Sequence, residues 1–415
     1  MTARELLQRT TIGAGILGRW STLAIGASIP VSIAIDNLLL ATALLGWLIG
    51  WSLREKLLLA WSNPIYRASL LLFAVLSLGT AYGQQAPGDA KLYLFKYLDL
   101  ALIPLLGWAF VGEHHRKYAL HTLAGGLALV LLISCALKIG LLPPISWLKG
   151  VEDSPFVVFK PRLTHNILMA LAAFLFAWLS CTAGSRLGKL WWGALGALAV
   201  TNIALMVEGA TGYIQLIALI LLFGWQRARM RGIGIAIAGS LIMIALLGTI
   251  PGPFQNRVKE IFFDLKQADT HQPASTSAGY RMEFYRNTLT LIEKNPVFGT
   301  GTGSFPAAYA ALVEGTGKKL SRNPHNEFML IAVQTGIFGL AALLWLLWLQ
   351  WRLAVQLPTQ LERSLAQGLV LTMCIICMLN SALLDHTEGL LYAWLTALLY
   401  AGLKSDRLIA SKITT

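Results

Sequence analysis

The chain has 415 residues, 56% of them apolar and only 13% charged, with a mean hydropathy of +0.63. Soluble domains carry about 25% charged residues, so a soluble globular protein is excluded. A formal charge of +13 would suit nucleic acid, but the positions of the basic residues exclude that partner.

A membrane span needs about 20 apolar residues. Twelve spans are predicted, at roughly 12–30, 33–52, 65–83, 92–112, 118–142, 163–182, 190–207, 210–225, 232–250, 324–350, 365–384 and 387–403. Arg19 interrupts the first of them. The polar start Met1–Glu5 does not read as a cleaved leader, so residue 12 onward is expected to be structure. The expected fold class is an all-α polytopic membrane protein with about 12 transmembrane helices. It divides into spans 1–9 with short loops (1–250), one long loop (251–323), and spans 10–12 with a tail (324–415).

Loop charges set the orientation. One set of alternate loops and tails holds seventeen basic residues, among them Arg4, Arg54, Arg116, Arg186, Arg229, Arg352 and Lys404. The short loops of the other set hold four: Lys91, Lys149, Lys160 and Arg162. The positive-inside rule places the first set and both termini in the cytoplasm. Most of the net charge is then topogenic, and the long loop falls on the outer face.

That loop carries nine basic against six acidic residues, a net +3. Two amphipathic helices are expected in it. In 257–266, Val258, Ile261, Phe262 and Leu265 share a face. In 280–294, Met282, Tyr285, Leu289 and Ile292 form a stripe with Arg281 and Arg286 on its flanks. Such a helix can lie in the membrane interface with its arginines turned to phosphates, including those of the surrounding lipids. Cys374 and Cys377 have CxxC spacing, but they sit mid-span without a second pair, so helix packing accounts for them.

The chemistry concentrates on the outer face. Asn323 is read as a helix N-cap, Pro324 as the first helical residue, and His325 as a first-turn residue where the dipole disfavours imidazolium. A neutral histidine can act as a base; the alternative is an interfacial residue ending a span. Lys160, Arg162, Arg281 and Arg286 are the candidate phosphate ligands, because arginine forks match phosphate oxygens. Gly299, Gly301 and Gly303 suit a tight turn better than a phosphate cradle, since no strand precedes them and no Lys-Ser/Thr follows. Asp36, Lys96, Asp99, Lys138 and Glu208 lie in or beside spans, where ionisable groups are functional candidates by default, and Lys96 could pair with Asp99. Asp385-His386-Thr387-Glu388 reads equally as a substrate contact or a solvated turn. Nothing matches H-E-x-x-H, and no metal or other cofactor is expected.

Two motifs resemble a known family. His325-Asn326, nine residues, Gly336, two residues and Gly339 resembles the motif of bacterial O-antigen ligases. Tyr280-Arg281 leading to Asn295-Pro296-Val297-Phe298-Gly299-Thr300-Gly301-Thr302-Gly303-Ser304-Phe305 is similar to the signature shared by O-antigen ligases and polymerases. The resemblance implies an inner-membrane glycosyltransferase of the GT-C type. It would move a polysaccharide from undecaprenyl diphosphate to lipid A–core on the periplasmic side, without metal or nucleotide. It puts the motif histidine at His325, the long-loop arginine at Arg281 and the short-loop arginine at Arg162. Many relatives carry Ser-Arg where this chain reads Thr211-Gly212-Tyr213, so an arginine's task there must fall to another residue or be absent. An O-antigen polymerase and a related oligosaccharyltransferase are the alternatives within the resemblance. A polysaccharide or lipid transporter is the alternative outside it, and would need more polar span interiors than this chain offers.

Overall fold

The computed structural model describes residues 3–403 apart from 51, 84–86, 144–155, 251, 253, 257 and 260–276. The described residues form helices α1 (Ala3–Ser28), α2 (Ile33–Gly50), α3 (Leu53–Ser62), α4 (Pro64–Leu78), α5 (Pro87–Lys96), α6 (Leu98–Gly107), α7 (Glu113–Lys138) and α8 (Arg162–Thr182). They continue with α9 (Arg186–Thr201), α10 (Ala210–Thr249), α11 (Ser277–Lys294), α12 (Phe305–Val313), α13 (Glu327–Ala354), α14 (Gln360–Leu379) and α15 (His386–Tyr400). The protein is an all-α polytopic membrane protein; eleven of the predicted spans each fall on a single helix, and the one at 92–112 runs across α5 and α6.

By length and composition, nine helical stretches among the described residues can cross a membrane. The difference from twelve has three causes. α1 carries Arg19 within its apolar half, and α15 has only 15 residues. α10 is one continuous stretch of 40 residues that folds back at Ala228 and Arg229, where the backbone leaves the helical region. Its two halves pack so closely that a Cβ on Gly232 would stand 1.9 Å from the Gly224 carbonyl oxygen. The two spans predicted there are therefore the arms of a hairpin.

α3 lies in a stretch expected to be a loop. Its signal was present: Ser52 caps the Glu55 amide while the Glu55 carboxylate accepts from the Ser52 amide, a reciprocal capping box. α8 is the best-enclosed span, buried along nearly its whole length against α9, α10 and α14. Its first residue, Arg162, opens at one end of the bundle.

At the other end, Arg116 and Glu362 form a buried ion pair at 2.7 Å. Arg116 also donates to the Phe110 and Val111 carbonyls, and Glu362 accepts from Thr359 at the start of α14. Arg116 was counted only as a topogenic charge, yet it ties α7 to α14. Removing one member of a buried pair leaves an uncompensated charge, which costs about 3–5 kcal/mol. Arg116→Ala should therefore lower the thermal unfolding midpoint of the detergent-solubilised protein strongly. An unchanged midpoint would show that the pair contributes nothing to stability.

Candidate active site

The site rests on a break in α13. Gly336 has φ +61° in the middle of this apolar helix, which frees the carbonyls of the preceding turn. The glycine-rich run 296–304 fills the gap. Thr300 N–H donates to the Val333 carbonyl at 2.7 Å, Gly301 N–H to the Gln334 carbonyl at 2.8 Å, and Gly303 N–H to Gln334 Oε1 at 2.7 Å. In return Ile337 N–H donates to the Pro296 carbonyl at 2.9 Å. A Cβ on Gly336 would meet the Val297 oxygen at 2.1 Å, so only glycine admits the loop. Gly299, Gly301 and Gly303 all have positive φ and stand away from the cavity described below. They make the turn that the sequence suggested and bring α11 and α12 back to the bundle.

A cavity of about 1100 Å³ opens beside this knot. Its lining includes Ile33 on α2; Lys96 on α5; Lys160, Arg162 and Asn166 around the start of α8; Thr211 and Gly212 on α10; Arg281 on α11; Arg322 and His325 before α13; and Asn380 and Asp385 before α15. The fold thus brings His325, Arg281, Arg162 and Lys160 to one chamber. Arg286 is not among the lining residues; it lies exposed on another side of α11. The predicted stripe on that helix is also rotated. Phe284, Asn287, Thr288 and Leu291 are buried, whereas Met282 and Leu289 are half exposed. Thr288 donates to its own helix at Phe284 O and Asn287 donates to Tyr309, so local hydrogen bonds let polar residues take the inner face. The 257–266 helix lies outside the described residues except at Val258 and Lys259.

His325 precedes the helix instead of lying in its first turn. Asn326 is the N-cap, accepting from Met329 N–H, and α13 begins at Glu327. Asn323 accepts from the His325 amide at 2.9 Å, holding His325 at φ +55°. A positive φ at a non-glycine residue is uncommon and clusters at functional sites. The imidazole stacks on Phe284 with ring centroids 5.9 Å apart. Nδ1 lies 3.2 Å from Asn380 Oδ1, and Asn380 Nδ2 donates to Asp385 Oδ2 at 3.0 Å. Because the amide's N–H is spent on Asp385, its oxygen faces the ring. Nδ1 therefore carries the proton and Nε2 is the lone pair. Burial lowers the imidazole pKa below its ordinary value; Arg281 and Lys319 add to that, against the opposing pull of Asn380 and Asp385. Neutral histidine survives as the expected state, with burial and not a helix dipole as its main cause.

Glu327 holds this arrangement in register. Fully buried, it accepts from Tyr97 OH at 2.8 Å and from Leu383 N–H at 2.9 Å, tying the start of α13 to the turn that carries Asn380 and Asp385. Tyr285 OH lies within hydrogen-bonding distance of the carbonyls of both His325 and Met378. Asn380 carried no sequence signal and fell inside the span predicted at 365–384, whereas the helix ends at Leu379; Asp385 belonged to the run that read equally as a solvated turn. Lys96 faces the cavity, Asp99 packs beneath Gly389, and the two form no ion pair among the described residues. Lys160 lines the wall, but its ammonium lies 4.0 Å from Asp36 and donates to Thr387.

A family model described as O-antigen ligase matches residues 194–344. The matched stretch carries Arg281, His325 and the whole glycine knot, and ends short of Asn380 and Asp385. No curated protein matches the chain.

The tautomer assignment has a direct check. Asn380→Asp places a carboxylate against Nδ1 and should raise the imidazole pKa; Asn380→Ala removes the acceptor and should lower it. Carbon-13 NMR of labelled histidine in the solubilised protein reads both. Shifts in the same direction for the two variants would remove Asn380 as the ring's partner.

Proposed function

We propose that this chain, which belongs to the O-antigen ligase/polymerase superfamily, transfers O-antigen polysaccharide from undecaprenyl diphosphate to lipid A–core. The reaction takes place at the periplasmic face of the bacterial inner membrane, with both termini in the cytoplasm. The observation that carries this reading is the shared cavity. A half-buried imidazole, held through Nδ1 by Asn380, lines the same chamber as Arg281 and Arg162.

In the proposed reaction the acceptor sugar hydroxyl gives its proton to His325 Nε2 as its oxygen attacks the anomeric carbon of the donor. The bond from that carbon to the diphosphate oxygen breaks, and its electron pair leaves with the diphosphate. Arg162 and Arg281 meet the charge that develops there, as fixed cations do best when water is excluded. With its charge met, the leaving group needs no proton, so a single base suffices. Attack opposite the leaving group inverts the anomeric centre. The imidazolium then returns its proton to water through the cavity mouth. His325 is the catalytic base, Asn380 and Asp385 set its tautomer, and Glu327 holds that turn against α13. The low imidazole pKa keeps the base competent in mildly acidic surroundings; activity should fall only as the pH drops through that lowered value.

General-base help typically gives 10²–10⁴-fold in rate. His325→Ala should cost about that factor in transfer of lipid-linked polysaccharide to purified lipid A–core, while binding of undecaprenyl diphosphate persists. Arg281→Ala should weaken that binding. Near-wild-type turnover by His325→Ala would make the residue structural; lost donor binding in the same variant would make it an organiser and not the base.

A further inference from the structure

Asp36 is the one ionisable residue of α2, and it is fully buried. A carboxylate in an apolar span is costly unless it is paired. Its Oδ1 accepts from Ser28 at the end of α1 at 2.5 Å. Its Oδ2 has no hydrogen-bond partner, but lies 4.0 Å from Lys160 Nζ and 3.8 Å from His386 Nε2. Lys160 in turn donates to Thr387 Oγ1 at 3.1 Å. The side chain of Lys160 is 2% exposed, so its charge is spent inside the protein, beside an acid that cancels it. That is a poor arrangement for gripping a phosphate and a good one for fixing a chain.

The chain at that point needs fixing. Phe159 has φ +62°, and Lys160 N–H closes back on the Val158 carbonyl at 2.7 Å. An aromatic residue in the left-handed region persists only where its surroundings over-determine it. Pro161 follows as the N-cap of α8, and Arg162 is the first helical residue, exposed on the cavity wall. A single proline, Pro161, thus separates a buried, paired lysine from an exposed arginine.

We infer that Asp36 is a positioning residue, which grips Lys160, locks the Phe159–Pro161 turn and so aims Arg162 at the donor diphosphate. This rests on the proposed function for the identity of the donor, and it makes Lys160 a strut and not a phosphate ligand. It also gives the α1–α2 hairpin a part in donor recognition.

The test measures the Kd of undecaprenyl diphosphate for the full-length protein in nanodiscs, with no acceptor present. Asp36→Asn and Lys160→Met should each weaken binding about tenfold. The double variant should be no weaker than either, because one shared pair is lost once. In an Arg162→Ala background, Asp36→Asn should add less than twofold. Ser28→Ala, a milder change that removes only the hydroxyl on Asp36, should weaken binding in the same direction and keeps the test open if Asp36→Asn misfolds. The inference is overturned if Asp36→Asn and Ser28→Ala bind like wild type, or if Lys160→Met and Asp36→Asn multiply to about a hundredfold. It is equally overturned if Asp36→Asn weakens the Arg162→Ala protein as much as the wild type, which is the signature of general destabilisation. Transfer to lipid A–core, measured separately, tests the ligase reading; its failure with the binding pattern intact would sink that reading alone.

Discussion

A helix interrupted inside a membrane cannot turn to water for the hydrogen bonds it loses. That constraint governs this protein. α13 is broken at Gly336, and the carbonyls it frees are taken by the amides of a loop that arrives from outside the bundle. The loop is anchored to α4 as well, where Thr302 N–H donates to the Gly79 carbonyl and its hydroxyl to that of Leu76. The outer segment is therefore not draped over the spans. It is keyed into two of them, and α11 with its Arg281 and Phe284 inherits a fixed position over His325.

The charges divide by depth. Asp36, Glu327 and Glu388 are buried, and each meets a hydroxyl, from Ser28, Tyr97 and Thr164 respectively. Lys96, Arg162 and Arg322 stay exposed around the chamber. Buried acids hold elements together, and among the described lysines and arginines that line the chamber Lys160 alone is buried with them. Between the two layers sits an imidazole that burial keeps uncharged. A cation at that spot would repel the arginines and could not accept a proton, so the burial of one ring serves both the electrostatics and the chemistry.

Much of this was readable from the sequence because the membrane imposes a coarse code. Apolar runs gave the spans, and loop arginines gave a hypothesis of orientation. The glycine run announced a turn. What escaped was set by contacts distant in sequence. The helix start at 323 looked right locally, since Asn323 and Pro324 are good starting residues; yet Asn326 caps too, and the Glu327 bonds to Tyr97 and Leu383 favour the later start. The stripe on α11 failed for a related reason: Asn287 and Thr288 look polar in a string but are satisfied inward. Asn380 was invisible, because its meaning comes from His325, 55 positions earlier.

The chamber is a cavity of about 1100 Å³ at one end of the bundle, with exposed Lys96, Arg162 and Arg322 on its wall. On the proposed reading, a space of that volume takes only a short stretch of the transferred polymer. Only the sugar at the diphosphate and the lipid that carries it are handled, and the remaining repeats hang in the aqueous space beyond the rim. On that reading, the reaction is blind to polymer length. It would attach one repeat or many with the same chemistry, and the length distribution at the cell surface would be written by whatever machinery loads the carrier.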